Sequence, residues 1–313
     1  ILTYSKPGVS EGNSKEVFRI MSYNIGYLSG MSNSLPLRED KDFFDNNKKE
    51  FIRLLNSVQP DFVGYQEMDF HSHRSHYADQ LRDVVSGFGF AYAAKAINWD
   101  KRYVPFPNWP PAAHFKRMVS GQALTSNFPI ISNRRIVLEK IKNKPFYYRA
   151  FYLDRLAQVV ELEVGKRQLV IINIHLEAFE KETRKRQAQE VLEIYRSLKD
   201  QYPVLLIGDF NCVPPFATRK HGFLDEPDLD FFSHNVVTLF LKEESLREAI
   251  LHGQKKISER ESFTFPSDQP SRKLDYIFYN HHDIKCLNAY VLDIDSSDHR
   301  PMIMEFSFKD QVK

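Results

Sequence analysis

Residues 204–211 constrain the fold most: Val204, Leu205, Leu206 and Ile207 run together as four apolar side chains and are followed at once by Gly208, Asp209, Phe210 and Asn211. A short run that is apolar on every residue fits a strand covered on both faces, because a strand with one wet face alternates. Pro214 and Pro215 lack the N–H that a ladder needs and stop it. In open α/β sheets ligands gather beyond the carboxyl ends of the strands, where Asp209 and Asn211 stand. Residues two apart in a strand share a side, which sets a carboxylate beside an amide; an Asx turn closing a core strand accounts for the same pair equally well.

The pattern recurs along the chain. Residues 17–25 read as a strand ending at Asn24, followed by a Gly/Ser/Asn-rich loop. Phe51, Leu54, Leu55 and Val58 share one helical face and Pro60 closes that helix. Residues 61–67 form a second strand, ending in Gln66 and Glu67 and expected in the same sheet as the first. Strands are also expected over 121–126, 130–138 and 157–164, and Gly165-Lys166 offers a two-residue turn into a strand that ends at His175. The helix after it turns Ala188, Val191, Leu192, Tyr195 and Leu198 inward. Its first turn carries Lys181, Arg184, Lys185 and Arg186, which oppose the helix dipole and so read as surface charges for an anionic partner. A helix-like stretch over 233–250, a strand over 274–279 that opens near Asp275, the pair Asp298-His299 and an alternating strand over 302–308 complete the chain.

The 313 residues, 42% hydrophobic and 27% charged, suffice for a sizeable core, and no Gly/Ser- or Pro-rich linker divides them. A polar extension over 1–15 and a single domain over 16–310 are expected, as a monomer. No apolar run approaches the length of a membrane span. A net charge of +2 is too small to argue by itself for nucleic acid or an anionic membrane. The numbering starts at Ile1, as after a removed leader or a cloning boundary, so the compartment is not readable. Cys212 and Cys286 have no zinc or redox spacing and read as buried thiols. His71, His73 and His76 lack the adjacent cysteine or paired carboxylate that would make a metal cluster, and read as a solvated turn. Residues 99–111 form a stiff, aromatic loop in which Trp99, Tyr103, Phe106 and Trp109 have three available fates: stacking on bases, entering lipid, or packing back on the domain.

Collected in order, the polar residues at strand ends are Asn24, Glu67, His175, Asp209, Asn211, Asp275, Asp298 and His299. Hard cations such as Mg²⁺ take carboxylate and amide oxygens, which Glu67, Asn24 and Asp298 supply. Two histidines with carboxylate neighbours supply proton donors or acceptors near neutral pH. The combination suits phosphoryl chemistry, in which a metal and positive donors stabilise developing charge.

The segments Ser22-Tyr23-Asn24-Ile25, Gln66-Glu67, Asn173-Ile174-His175-Leu176-Glu177, Gly208-Asp209-Phe210-Asn211, Leu274-Asp275-Tyr276-Ile277 and Ser297-Asp298-His299-Arg300-Pro301 resemble, in order, the motifs of the endonuclease/exonuclease/phosphatase (DNase I-like) superfamily of metal-dependent phosphodiesterases. The resemblance implies an α/β fold, a four-layer α/β/β/α sandwich of two mixed sheets packed face to face and flanked by helices. It also implies that Glu67 is the main Mg²⁺ ligand with Asn24 close by and Asp298 beside the metal, Mn²⁺ serving as a substitute. Asp209 would orient or activate the attacking water. Asn211 and His175 would hold phosphoryl oxygens, or His175 would protonate the leaving group, and His299, oriented by Asp275, would act as base or phosphate donor. Gly26 stands where some nuclease branches carry an aspartate, which puts a two-metal mechanism in question.

The implied activity is hydrolysis of phosphoric esters, with nucleic acid the favoured substrate. The 181–186 turn, Arg149 and Arg155 are offered for its phosphates, and Arg149, Tyr147 and Trp109 are the expected substrate contacts. His175-Leu176-Glu177 is similar to the DNase I-like, sphingomyelinase-like and tyrosyl-DNA phosphodiesterase branches alike. A phospholipid or sugar-phosphate hydrolase, with the aromatic loop at a lipid interface, is therefore the alternative. A non-catalytic binding protein on the same fold is the third reading, and the intact motif set argues against it.

Overall fold

The computed structural model describes residues 1–4, 15–33, 35–106, 110–228, 230–232 and 235–310, with the side chain of Tyr147 left aside. The strands, in chain order, are β1 (Leu2–Thr3), β2 (Phe18–Asn24), β3 (Phe62–Asp69), β4 (Tyr92–Val104), β5 (Lys116–Ser126), β6 (Ile130–Val137), β7 (Leu156–Val164), β8 (Arg167–His175), β9 (Val204–Asp209), β10 (Leu246–Glu248), β11 (Asp275–Asn280), β12 (Ile284–Val291) and β13 (Met302–Phe308). The helices are α1 (Lys41–Val58), α2 (Gln80–Val84), α3 (Phe146–Phe151), α4 (Lys181–Arg196), α5 (Val237–Leu241) and α6 (Ala249–His252). One sheet has the order β1-β4-β5-β3-β2-β13-β12 and the other β10-β11-β9-β8-β7-β6. In each, one central pair is parallel, β2 with β3 and β8 with β9, and the other pairs are antiparallel.

The run at 204–207 is apolar throughout because each face of β9 has a different neighbour. Leu205 and Ile207 point between the sheets, where with Val160, Ile171 and Ile277 they meet Ile20, Phe62 and Leu124 of the other sheet. Val204 and Leu206 point outward and pack with Ala188, Val191 and Tyr195 of α4. On the far face of the first sheet, Phe51 and Leu55 of α1 and Leu81 and Val84 of α2 cover Met21, Tyr23 and Tyr65. The result is the four-layer α/β/β/α sandwich. A buried amide ties its sheets together: Asn173 accepts from Gln66 Nε2 at 2.6 Å and donates to the Tyr65 carbonyl at 3.0 Å and the Ala123 carbonyl at 3.1 Å.

Strand direction places the site. β2, β3, β8 and β9 finish at one end of the sandwich, and their antiparallel neighbours β13, β5, β7 and β11 begin there. Register pairs His175 with Asp209 across the parallel ladder and Asp275 with Asp209 across the antiparallel one.

Three expectations are corrected. Trp99 belongs to β4, not to a loop; it is buried, and its indole donates to the Phe151 carbonyl at 2.8 Å, because β4 and β5 extend together as a long hairpin. The stretch 233–250 is not one helix: Leu246–Glu248 pairs with β11 as an edge strand and separates α5 from α6. Within the 1–15 extension, Leu2–Thr3 pairs with the start of β4, while residues 5–14 lie outside the described residues.

Candidate active site

Backbone geometry aims the acidic groups. Gly208 has φ +138°, and a Cβ there would lie 2.0 Å from the Ile174 carbonyl oxygen, so only glycine lets β8 and β9 close where Asp209 emerges. β9 ends at Asp209. Asp209 Oδ1 accepts from the Asn211 backbone N–H at 2.8 Å and Asn211 has φ +48°, which is the Asx turn and not a continued strand. The turn swings Asn211 away from the side Asp209 faces, and its amide donates to the Leu176 carbonyl at 3.0 Å. Glu67 has φ +53° and lies where the β3–β5 register slips between Tyr65 and Met68, a bulge that re-aims its side chain.

The polar residues gather in two tiers. In the inner, buried tier His299 Nδ1 lies 2.8 Å from Asp275 Oδ2, and His299 Nε2 lies 3.8 Å from Asp209 Oδ2. His175 Nε2 is 3.5 Å from Asp209 Oδ2 and 3.9 Å from Glu67 Oε1. The Asn24 amide donates to Asp209 Oδ2 at 3.1 Å, and its Oδ1 accepts from Gly26 N, so Asn24 is wired to the inner tier. In the outer, partly exposed tier Asn33 Nδ2 donates to Glu67 Oε2 and Asp298 Oδ2, each at 3.1 Å. Sequence reading missed Asn33; its one signal is the polar loop after β2.

Environment divides the charges. Burial raises the Glu67 carboxyl and the Asp298 charge adds to it. Burial, then the charges of Arg155 and His299, hold His175 well below the usual imidazole range, so it is neutral. Burial alone would depress His299, but Asp275 and Asp209 outweigh it and push it up to about 10. Burial and the neighbouring Asp275 lift Asp209 to about 7. A protonated His299 has N–H at both ring positions, so its 3.4 Å contact with the Asn24 amide sets two donors face to face, and Nε2 is directed at Asp209 instead.

Two places gather possible metal ligands. Asp209, Asp275 and His299 bring ligand atoms within 4.8 Å of one another, with His299 hydrogen-bonded to Asp275 Oδ2 and Asp275 Oδ1 left without a hydrogen-bond partner among the described residues. Glu67 and Asp298 face each other across one amide, both partly exposed, with carboxylate repulsion that a cation would relieve; this all-oxygen set fits a hard divalent ion. Gly26 seals the side: with φ +47°, a Cβ there would lie 2.5 Å from Asp298 Oδ1 and 2.8 Å from Ser297 Oγ, which leaves no room for an aspartate.

Of the cations expected at phosphates, several are held within the chain. Arg184 is buried and donates to the Glu177 and Ala178 carbonyls, Lys181 pairs with Asp230 at 3.1 Å, and Arg186 pairs with Glu139. Lys181 and Arg186 are thus neutralised within the chain, and Arg184 is turned inward. Arg155 is buried 3.6 Å from Glu177 Oε2, with Nε and Nη1 lacking a hydrogen-bond acceptor. Exposed Arg149 lines, with Tyr152, Arg155 and Glu177, a cavity of about 80 Å³. Tyr147 lies in α3, but its side chain and the whole of Trp109 are outside the described residues. A larger apolar cavity of about 170 Å³ by Val213, Val237 and Tyr276 is lined by none of the eight strand-end residues. In the 71–76 turn, His76 contacts Arg38 and the Glu39 carbonyl, and Arg74 pairs with Asp69 under the Tyr27 ring. Both cysteines are buried free thiols.

The sequence profile of the Endonuclease/Exonuclease/phosphatase family matches residues 21–299. No curated protein matches the chain by sequence. Among solved structures, an endonuclease/exonuclease/phosphatase from Beutenbergia cavernae superposes with a TM-score of 0.67 at 18% identity, covering 94% of this chain and 72% of that one. The mannosyl-6-phosphatase of Bacteroides thetaiotaomicron gives 0.66 at 15% identity, with 93% and 100% covered. The human Nocturnin catalytic domain with bound sulfate anion gives 0.62 at 19% identity, with 94% of each chain covered.

Proposed function

The chain belongs to the endonuclease/exonuclease/phosphatase family of phosphoester hydrolases, and from that premise we propose that it is a divalent-metal-dependent phosphodiesterase that cleaves its ester by attack of water. The observation that carries the reading is the two-tier site: an oxygen-only pair, Glu67 and Asp298, beside a buried proton network in which His175 reaches both Glu67 and Asp209.

Glu67 and Asp298 would hold a divalent ion, which would supply positive charge to offset that developing on the phosphoryl oxygens. Asp209, raised toward neutrality and steadied by Asn24 and the Asn211 backbone, orients the water and takes its proton. His299 keeps its proton between Asp275 and Asp209, which favours donation to a phosphoryl oxygen over the role of base. Neutral His175 donates to another oxygen without adding charge. The unpartnered donors of Arg155, 6% exposed, supply positive potential behind it. Gly26 favours one metal over two.

The assay is hydrolysis of bis(p-nitrophenyl) phosphate in EDTA and after adding back Mg²⁺ or Mn²⁺. Chelation is expected to abolish turnover and either ion to restore it; full turnover in EDTA refutes the metal assignment. Glu67→Gln is expected to weaken Mn²⁺ binding, read by paramagnetic resonance of the free ion, whatever the turnover. A matching monoester tests the diester preference: faster monoester cleavage makes the protein a phosphatase on the same site.

A further inference from the structure

The connections after β2, β3, β6, β8 and β9, together with the β4–β5 hairpin, all lie at the catalytic end of the sandwich. They carry most of the large apolar side chains that the described surface leaves in water. Leu224 (93% exposed), Phe146 (76%), Phe179 (67%), Phe232 (66%), Phe216 (55%) and Phe106 (55%) come from four separate connections. The opposite end exposes Ile1, Leu2, Val17 and Ile131, scattered along strand starts. A concentration of exposed apolar side chains around a catalytic mouth marks a surface that meets a partner.

Residue chemistry separates the two partner classes. A nucleic acid wants rings for its bases and free cations for its phosphates. Leu224, Leu35, Leu37 and Met31 are exposed at this end and have no ring to stack. Three of the cations bordering the mouth are spent within the chain, Lys181 on Asp230, Arg186 on Glu139, and Arg272 on Asp225 and Glu226, while Arg149 stays exposed beside Phe146. Two others, Lys144 and Lys220, lie 5.8 Å and 5.7 Å from the Tyr148 and Phe232 ring centres. An ammonium beside an apolar side chain suits a lipid–water boundary, where the apolar part enters the acyl region and the charge stays with the headgroup phosphates.

We propose that the catalytic end docks on a lipid–water interface carrying anionic headgroups, and that the ester cleaved is a phosphodiester of a lipid headgroup presented there. This rests on the phosphodiesterase reading and adds its substrate class. The mouth then stays pressed to the surface while the headgroup reaches Glu67 and Asp298 from the open tier.

The test is flotation of the full chain with vesicles of phosphatidylcholine mixed with phosphatidylglycerol, beside binding of a single-stranded oligonucleotide and turnover of soluble bis(p-nitrophenyl) phosphate. Variants are Phe179→Ser and Leu224→Ser, singly and together. The wild type is expected to float, and each variant to bind vesicles about tenfold more weakly, the scale of one large apolar side chain withdrawn from lipid. Soluble turnover and melting temperature are expected to stay unchanged. Vesicle binding that fails, or that survives both substitutions, overturns the proposal, as does oligonucleotide binding that the same substitutions weaken. Turnover of the soluble diester without vesicle binding leaves the phosphodiesterase standing and removes the interface. Substitution-sensitive vesicle binding without turnover of any diester keeps the interface and removes the phosphodiesterase.

Discussion

His299 holds its proton because Asp275 and Asp209 face it in a buried tier, and that has a measurable sign. Its value in the folded chain is about 10 against an ordinary 6.5, so between those limits the folded state binds a proton that the unfolded state releases. Stability conferred by this group is therefore complete below about 6.5 and is lost as pH climbs toward 10. Asp209, lifted to about 7, acts in the same sense over a lower window, from its ordinary 3.8 upward. The melting temperature of the metal-free protein in EDTA is expected to fall between pH 7 and 10, and His299→Asn to flatten that fall. An equal slope in the variant shows that His299 does not carry the proton. At the same scale, the positive φ of Glu67 and Asn211 shows that the chain spends backbone strain on aiming site residues.

At the scale of elements, the segment between β9 and α5 reaches His299 through a column of side chains. Phe265 lies 4.7 Å from the His299 ring, and the Arg272 guanidinium sits 4.6 Å from Phe265 and 4.5 Å from Phe223. Asp225 holds Arg272 at 2.9 and 2.6 Å, and Glu226 holds it at 2.6 Å. Removing the guanidinium frees the Phe265 ring and with it the tilt of His299. Arg272→Ala is expected to lower kcat on the soluble diester about 10- to 100-fold, the scale of a small misplacement of a reacting group, with KM changed about twofold or less. Arg272→Lys should recover part of the loss by restoring charge without the planar stack. A rise in KM at constant kcat would place Arg272 in substrate binding instead.

For the molecule as a whole, the distance between sheets decides whether the two halves of the site meet, since Asn24, Glu67 and Asp298 come from one sheet's strand ends and His175, Asp209 and Asp275 from the other's. Gly64 faces the other sheet across that gap. A Cβ on it would lie 2.4 Å from Ile207 Cδ1, across the apolar layer between the sheets. Gly64→Ala is expected to cost about 1–3 kcal/mol by overpacking, and Ile207→Val about 1 kcal/mol by a lost methyl. The double variant should be more stable than the sum predicts, because the deleted methyl is the one that collides. Chemical denaturation of the four proteins measures the coupling, and strict additivity would show that the sheets do not touch there.

Periodicity and punctuation are local properties, so the chain alone determined that strand termini carry Asn24, His175, Asp209 and Asp275, which helical faces turn inward, and the layered α/β architecture with both cysteines inside, while β3 runs two residues past Glu67 to Asp69. The motif order carried the family for the same reason. Tertiary structure alone decided how those ends share out the work. Asn33 enters through a loop with no periodic signal, and Asn211 leaves through a turn that its spacing from Asp209 did not distinguish from a strand. Lys181 and Arg186 looked free because their counter-charges, Asp230 and Glu139, stand more than forty residues away along the chain. Trp99 had three fates open in the sequence because the acceptor of its indole, the Phe151 carbonyl, comes from α3. A charge or a ring states in sequence what it can bind, and only the packed chain states which partner is within reach, because burial and Coulomb energy depend on distance in space.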